Sequence, residues 1–138
     1  MNWFIWALLS AFFAGLTAVL AKVGVENINS NLATAIRAVV ILIFAWCVVL
    51  FTRDQSISTI GRRTWIFLVL SGIATGLSWL CYFRALQLGE ASRVAPVDKL
   101  SVVVAIALAA IFLHEHLTWH HWFGGLLILT GAVVLAYA

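Results

Sequence analysis

Five runs of about twenty mostly apolar residues occupy this chain and leave little else to fold. They cover residues 3–21, 32–51, 64–83, 96–113 and 119–137. At about 1.5 Å of rise per residue, each is long enough as a helix to cross a hydrocarbon core of roughly 30 Å. Period-two alternation is absent, which speaks against a membrane barrel. The spacers KVGVENINSN, TRDQSISTIGRR, RALQLGEASRV and HEHLT are short and polar, with no room for a soluble domain. Composition agrees: 64% of the 138 residues are hydrophobic and 9% are charged. A soluble domain is about half apolar and a quarter charged. The expected architecture is an all-α membrane protein, a single five-helix domain over residues 1–138 with its termini on opposite sides of the membrane. The opening stretch MNWFIWALLSAFFAGLTAVLAKVG lacks a basic leader and has too long an apolar run for a signal peptide, so it is expected to remain as a span.

The net charge of +3 does not point to nucleic acid, because the basic residues are spread between and at the edges of the apolar runs. They orient the chain weakly. Arg53, Arg62 and Arg63 lie on the side of the N-terminus, and Lys22, Arg84 and Arg93 on the other. Loop Lys and Arg normally mark the cytoplasmic side. A level count permits dual topology, with copies inserted both ways, or anchoring of the second loop in the cytoplasm by Arg62 and Arg63. Six of the seven tryptophans fall toward the N-terminal side, as a headgroup-level belt; Trp79 falls toward the other. Trp79 and Tyr82 are therefore candidates for the wall of a pathway. Cys47 and Cys81 lie within apolar runs and are expected to be small buried hydrophobes.

Helices in lipid associate where small residues let backbones approach. Gly72 and Gly76 form a GxxxG in the third run. Gly124 and Gly131, seven apart in the last run, share a helix face and are a candidate dimer contact.

Charges inside the runs carry more chemistry. An Arg at mid-membrane costs at least ~2.5 kcal/mol on insertion scales. Arg37 is shallower, and serves either as an interfacial anchor or as a cation in an aqueous cavity. Asp98 and Lys99 follow Pro96. Proline suits the first turn of a helix, and an acid there complements the helix dipole, so Asp98 is expected to begin the fourth helix. Neighbouring residues point about 100° apart on a helix, so Asp98 and Lys99 are not expected to pair. Arg37, at similar depth, is the expected partner of Asp98, leaving Lys99 to face a cavity. The stretch HEHLTWHH carries four histidines and Glu115. It is not HExxH and is expected to be a wet turn rather than a metal site. No cofactor is expected. No nucleotide loop or Ser-His-Asp arrangement is legible, so an enzyme is not expected.

The stretch LQLGEASRVAPVDKLSVVVAIALAAIFLHEHLTWHHWFGGLLILTGAVVLAYA resembles the C-terminal part of an EamA domain of the drug/metabolite transporter superfamily. WALLSAFFAGLTAVLAKVGVENINSNLATAIRAVV resembles that domain's opening. The resemblance covers nearly the whole chain and is most specific in GEASRVAPVDKLS. Many such sequences carry Gly before the acidic turn residue, where this chain has His114. Small multidrug resistance proteins are similar, with four spans and a comparable glycine pair, but rely on an acidic residue in the first span; residues 3–21 contain none. The resemblance implies a multi-pass protein of a bacterial-type plasma (inner) membrane. It implies a secondary transporter or exporter of small metabolites, such as amino acids or drug-like compounds. Such transporters place the site between inverted repeats. A single unit is then expected to need an antiparallel partner, as a homodimer or as a heterodimer with a related five-span protein. Arg37, Asp98 and Lys99 would supply polar contacts, and Trp79 and Tyr82 the walls. Two other readings stand beside this one: a non-transporting subunit that stabilises or regulates a partner, and a flippase for lipid-linked substrates.

Overall fold

The computed structural model describes residues 2–52, 57 and 60–137. Its helices are α1 (Trp3–Gly24), α2 (Ser30–Thr52), α3 (Arg62–Leu88), α4 (Ala91–Asp98), α5 (Ser101–Phe112) and α6 (Trp119–Tyr137). Counting α4 and α5 together as Ala91–Phe112, five helical segments are long and apolar enough to cross a membrane. Arg53, counted above among the loop charges, lies outside the described residues.

Helix starts have local causes. Asn29 caps α2: its Oδ1 accepts the Asn31 N–H at 2.8 Å, and its carbonyl accepts Ala33 N–H. Thr118 caps α6 in a variant of the capping box. The Thr118 N–H donates to His121 Nδ1 at 3.1 Å, where that motif usually has Glu or Gln, and His121 N–H returns to the Thr118 carbonyl. Before it, His114 adopts φ 52°, a left-handed conformation that favours glycine. That turn closes the end of α5, with Leu113 N–H and Glu115 N–H both on the Ala109 carbonyl. Within the apolar segments, Thr34, Thr75 and Thr130 donate their hydroxyls to the carbonyl four residues earlier, which satisfies them without water.

The chain divides into two compact units, Met1–Val23 with Leu88–Ala138, and Gly24–Gln87. In the first, α4 and α5 both pack on α6. Gly125 faces Ile106, whose Cδ1 lies 4.0 Å from where a Cβ would stand. Lys22, at the end of α1, donates to the Gly89 carbonyl at 2.9 Å. The second unit contains α2 and α3. Gln87 fastens the end of α3 to the segment before α2, donating to the carbonyls of Val25 (3.2 Å) and Ile28 (2.6 Å). Its Oε1 accepts from Arg84 at 3.1 Å. Val25 and Leu86 are fully buried. Most large apolar side chains elsewhere are exposed, as suits helices whose solvent is lipid.

The fourth span departs from expectation. Its helix starts at Ala91, so Pro96 lies inside α4 rather than in a first turn, and Asp98 ends α4 instead of beginning a helix. Lys99 and Leu100 then have ψ of −8° and −19°. Lys99, Leu100, Val102 and Val103 donate to carbonyls three residues earlier, so the break is a short 3₁₀ turn. Proline has no N–H to offer the Ser92 carbonyl, and a local 3₁₀ adjustment is a common way for a membrane helix to accommodate that loss.

Candidate functional site

Arg37 lies seven residues beyond Ser30, about 10 Å along the axis of α2. Its guanidinium lies over two rings of α3, with Cζ 4.7 Å from the Trp79 ring centroid and 5.3 Å from that of Phe83. Positions 79 and 83 are one helical turn apart, so both rings stand on one face of α3. Each such contact is worth about 0.5–2 kcal/mol, toward the upper end when water is excluded. Tyr82 meets Phe83 edge-on, with centroids 6.4 Å apart, and extends the aromatic frame. Phe83 is buried, and Arg37, Trp79 and Tyr82 are half-buried. Among the described residues Arg37 has no carboxylate or carbonyl partner. A guanidinium carries five N–H donors in a fixed planar fork, and a cation–π contact with a ring does not consume them as hydrogen bonds to a carbonyl or carboxylate would.

Asp98 and Lys99 stand at the break in the fourth span. Contrary to expectation they pair, Lys99 Nζ to Asp98 Oδ2 at 3.2 Å. The 100° between successive Cβ directions does not prevent this, because the four-carbon lysine stem reaches round the helix to its neighbour. Lys99 is therefore not left to face a cavity alone. Arg37 and Asp98 belong to different units, and each has its described contacts within its own: Arg37 with Trp79 and Phe83, Asp98 with Lys99. Glu90 and Arg93 form the other ion pair, at 3.5 Å.

The small-residue seams remain open. A Cβ added at Gly72, Gly76, Gly124 or Gly131 would meet nothing within 4 Å, and Gly125 is the glycine of α6 that approaches α5. Cys47 and Cys81 are exposed free thiols, not the buried hydrophobes expected, because they face the outside of loosely packed spans. No three His, Cys, Asp or Glu side chains among the described residues are placed to hold a metal ion. A groove of about 320 Å³ in the second unit is lined by Leu42, Trp46, Val49, Ile60 and Trp65 among others. Apart from its two indoles, its lining among the described residues has no polar side chain to fix a ligand.

Two participants escaped the sequence reading. Phe83 lies in an apolar run where any Phe reads as lipid-facing; its one signal was the four-residue spacing from Trp79. Gln87 lay beyond the expected end of the third span.

Arg37 in a ring-lined frame, five spans and a broken fourth helix suit a small-molecule carrier, and comparison with known proteins bears on the kind. The model of the EamA-like transporter family matches residues 1–137. The chain belongs to that family. It is a multi-pass membrane protein of a transporter family. An uncharacterized transporter of Sinorhizobium sp. is 56% identical over 136 residues, covering 98% of this chain and 96% of that one. The Bacillus subtilis uncharacterized transporter YxxF is 30% identical over 112 residues, which are 78% of this chain but 34% of that protein. A Pseudomonas fluorescens protein named as a probable 4-amino-4-deoxy-L-arabinose-phosphoundecaprenol flippase subunit, ArnE, is 30% identical over 76 residues, 54% of this chain and 64% of its own length. No solved structure matches.

Proposed function

We propose that this EamA-family chain is a secondary transporter of small metabolites. It works by alternating access in a bacterial-type inner membrane, as an antiparallel pair of copies or paired with a related five-span protein. It carries out no catalysis. One observation carries the reading: Arg37 sits inside a span with its guanidinium over the rings of Trp79 and Phe83, and among the described residues it forms no ion pair with a carboxylate. Intramembrane ionisable residues commonly mark substrate paths. Trp79 and Tyr82 act as walls, and the Asp98–Lys99 pair at the broken fourth span contributes polar contacts that exchange during transport. Discontinuous helices of this kind line the sites of many carriers.

Pairing is supported by the level loop charges and by glycine faces that the chain itself leaves open. The match to about a third of YxxF also fits a unit that occurs within longer chains. The likeness to ArnE favours a second reading, movement of a lipid-linked substrate, with this chain as one subunit.

Reconstitution into vesicles tests the proposal. Saturable uptake of at least one small metabolite from a panel of amino acids and organic acids is expected. A scrambling assay with a polyprenyl-phosphate-linked sugar reads out the second reading. Protein that is folded and inserted both ways, yet moves neither class, is not a transporter by itself.

A further inference from the structure

Charge is divided unequally between the two units. In Met1–Val23 with Leu88–Ala138, Lys22, Arg93 and Lys99 are matched in number by Glu90, Asp98 and Glu115. Two of these bases form ion pairs with acids of the same unit, and Lys22 is bound to the Gly89 carbonyl. The unit Gly24–Gln87 holds five arginines against Glu26 and Asp54, so the whole net charge of +3 resides there. Of those arginines, Arg37 is the one well inside an apolar run; Arg53, Arg62, Arg63 and Arg84 flank spans.

From this placement we infer that Arg37 selects an oxyanion, the carboxylate or phosphate of the transported molecule, bound edge-on while Trp79 and Phe83 hold the guanidinium plane. The inference rests on the transport reading and assigns its substrate class. An isolated cation at this depth is costly, and an anion arriving at its edge relieves that cost. A guanidinium edge offers two parallel N–H groups that match the two oxygens of a carboxylate or phosphate, a geometry lysine cannot supply. The two rings restrain the side chain, so less of its freedom remains to be lost on binding. They also give an apolar surface beside the anion, which suits a ligand with an apolar body and one acidic end. A cationic ligand would meet like charge, with no acidic side chain of α2 or α3 to offset it.

Calorimetric titration of the purified chain in dodecyl maltoside micelles, which contain no phosphate, tests this. The probes are benzoate, inorganic phosphate, phosphatidylglycerol and, as the cationic control, benzylamine. Binding of at least one oxyanion near one per chain is expected, weakened at least tenfold by Arg37→Gln. Arg37→Lys keeps the charge but loses the fork, and is expected to weaken binding severalfold. Circular dichroism and a monodisperse elution profile confirm that both variants fold. Binding of benzoate or inorganic phosphate assigns a soluble anion; binding of phosphatidylglycerol alone assigns a lipid phosphate. Oxyanion binding equal in Arg37→Gln, benzylamine binding as tight as benzoate, or no oxyanion bound at all would overturn the inference. Uptake in vesicles separates the two levels: flux indifferent to substrate charge sinks the oxyanion assignment alone, whereas Arg37-dependent binding without flux of any kind sinks the transport reading alone.

Discussion

Gln87 commits both its amide hydrogens and its carbonyl oxygen, joining Arg84 to the carbonyls of Val25 and Ile28. Gln87→Leu keeps the bulk and loses three hydrogen bonds. At about 1 kcal/mol for each, the expected destabilisation is about 1–3 kcal/mol, read as a lowered unfolding midpoint in detergent. His114 is a second local test. A left-handed conformation costs a residue with a Cβ about 1–2 kcal/mol, and a Cβ-free residue escapes it. His114→Gly is therefore expected to raise thermal stability by about 1 kcal/mol, and His114→Val to lower it.

The five spans were legible as elements because a bilayer imposes a length and a polarity that one sequence displays without any partner. Their ends were not. The third span reads as residues 64–83, yet α3 runs to Leu88, because Arg84 and Gln87 are polar and helical at once. Hydropathy reports the membrane, not the end of the helix. The fourth span misled for a different reason. Pro96 followed by an acid fits a helix start equally well, and only the backbone reveals that α4 begins five residues earlier and breaks after Asp98. Arg37, Trp79 and Tyr82 were each recognisable as unusual for their depth, but nothing in a linear sequence brings α2 against the 79/83 face of α3. If Pro96 is the cause of the 3₁₀ turn, Pro96→Ala returns an N–H to the Ser92 carbonyl and lets the α-helix continue. Amide exchange at residues 99–103 is then expected to slow about tenfold; unchanged exchange would place the cause elsewhere.

At the scale of the whole molecule, two compact units bury few side chains of their own. The face marked by Gly124 and Gly131 stays open, which fits a surface that meets a second chain. With Cys47 and Cys81 replaced by Ala, Gly124→Cys is expected to cross-link copies in membranes. Failure to do so, with the protein inserted, counts against a dimer built on that face. Transport of an anion rests on one charge in an aromatic frame, and the decisive measurement is uptake by vesicles carrying the parent chain or Arg37→Gln at equal protein density. Saturable uptake of an anionic metabolite by the parent is expected, reduced at least tenfold in the variant. Equal uptake in both, or no saturable uptake of any metabolite by folded parent protein, would contradict it.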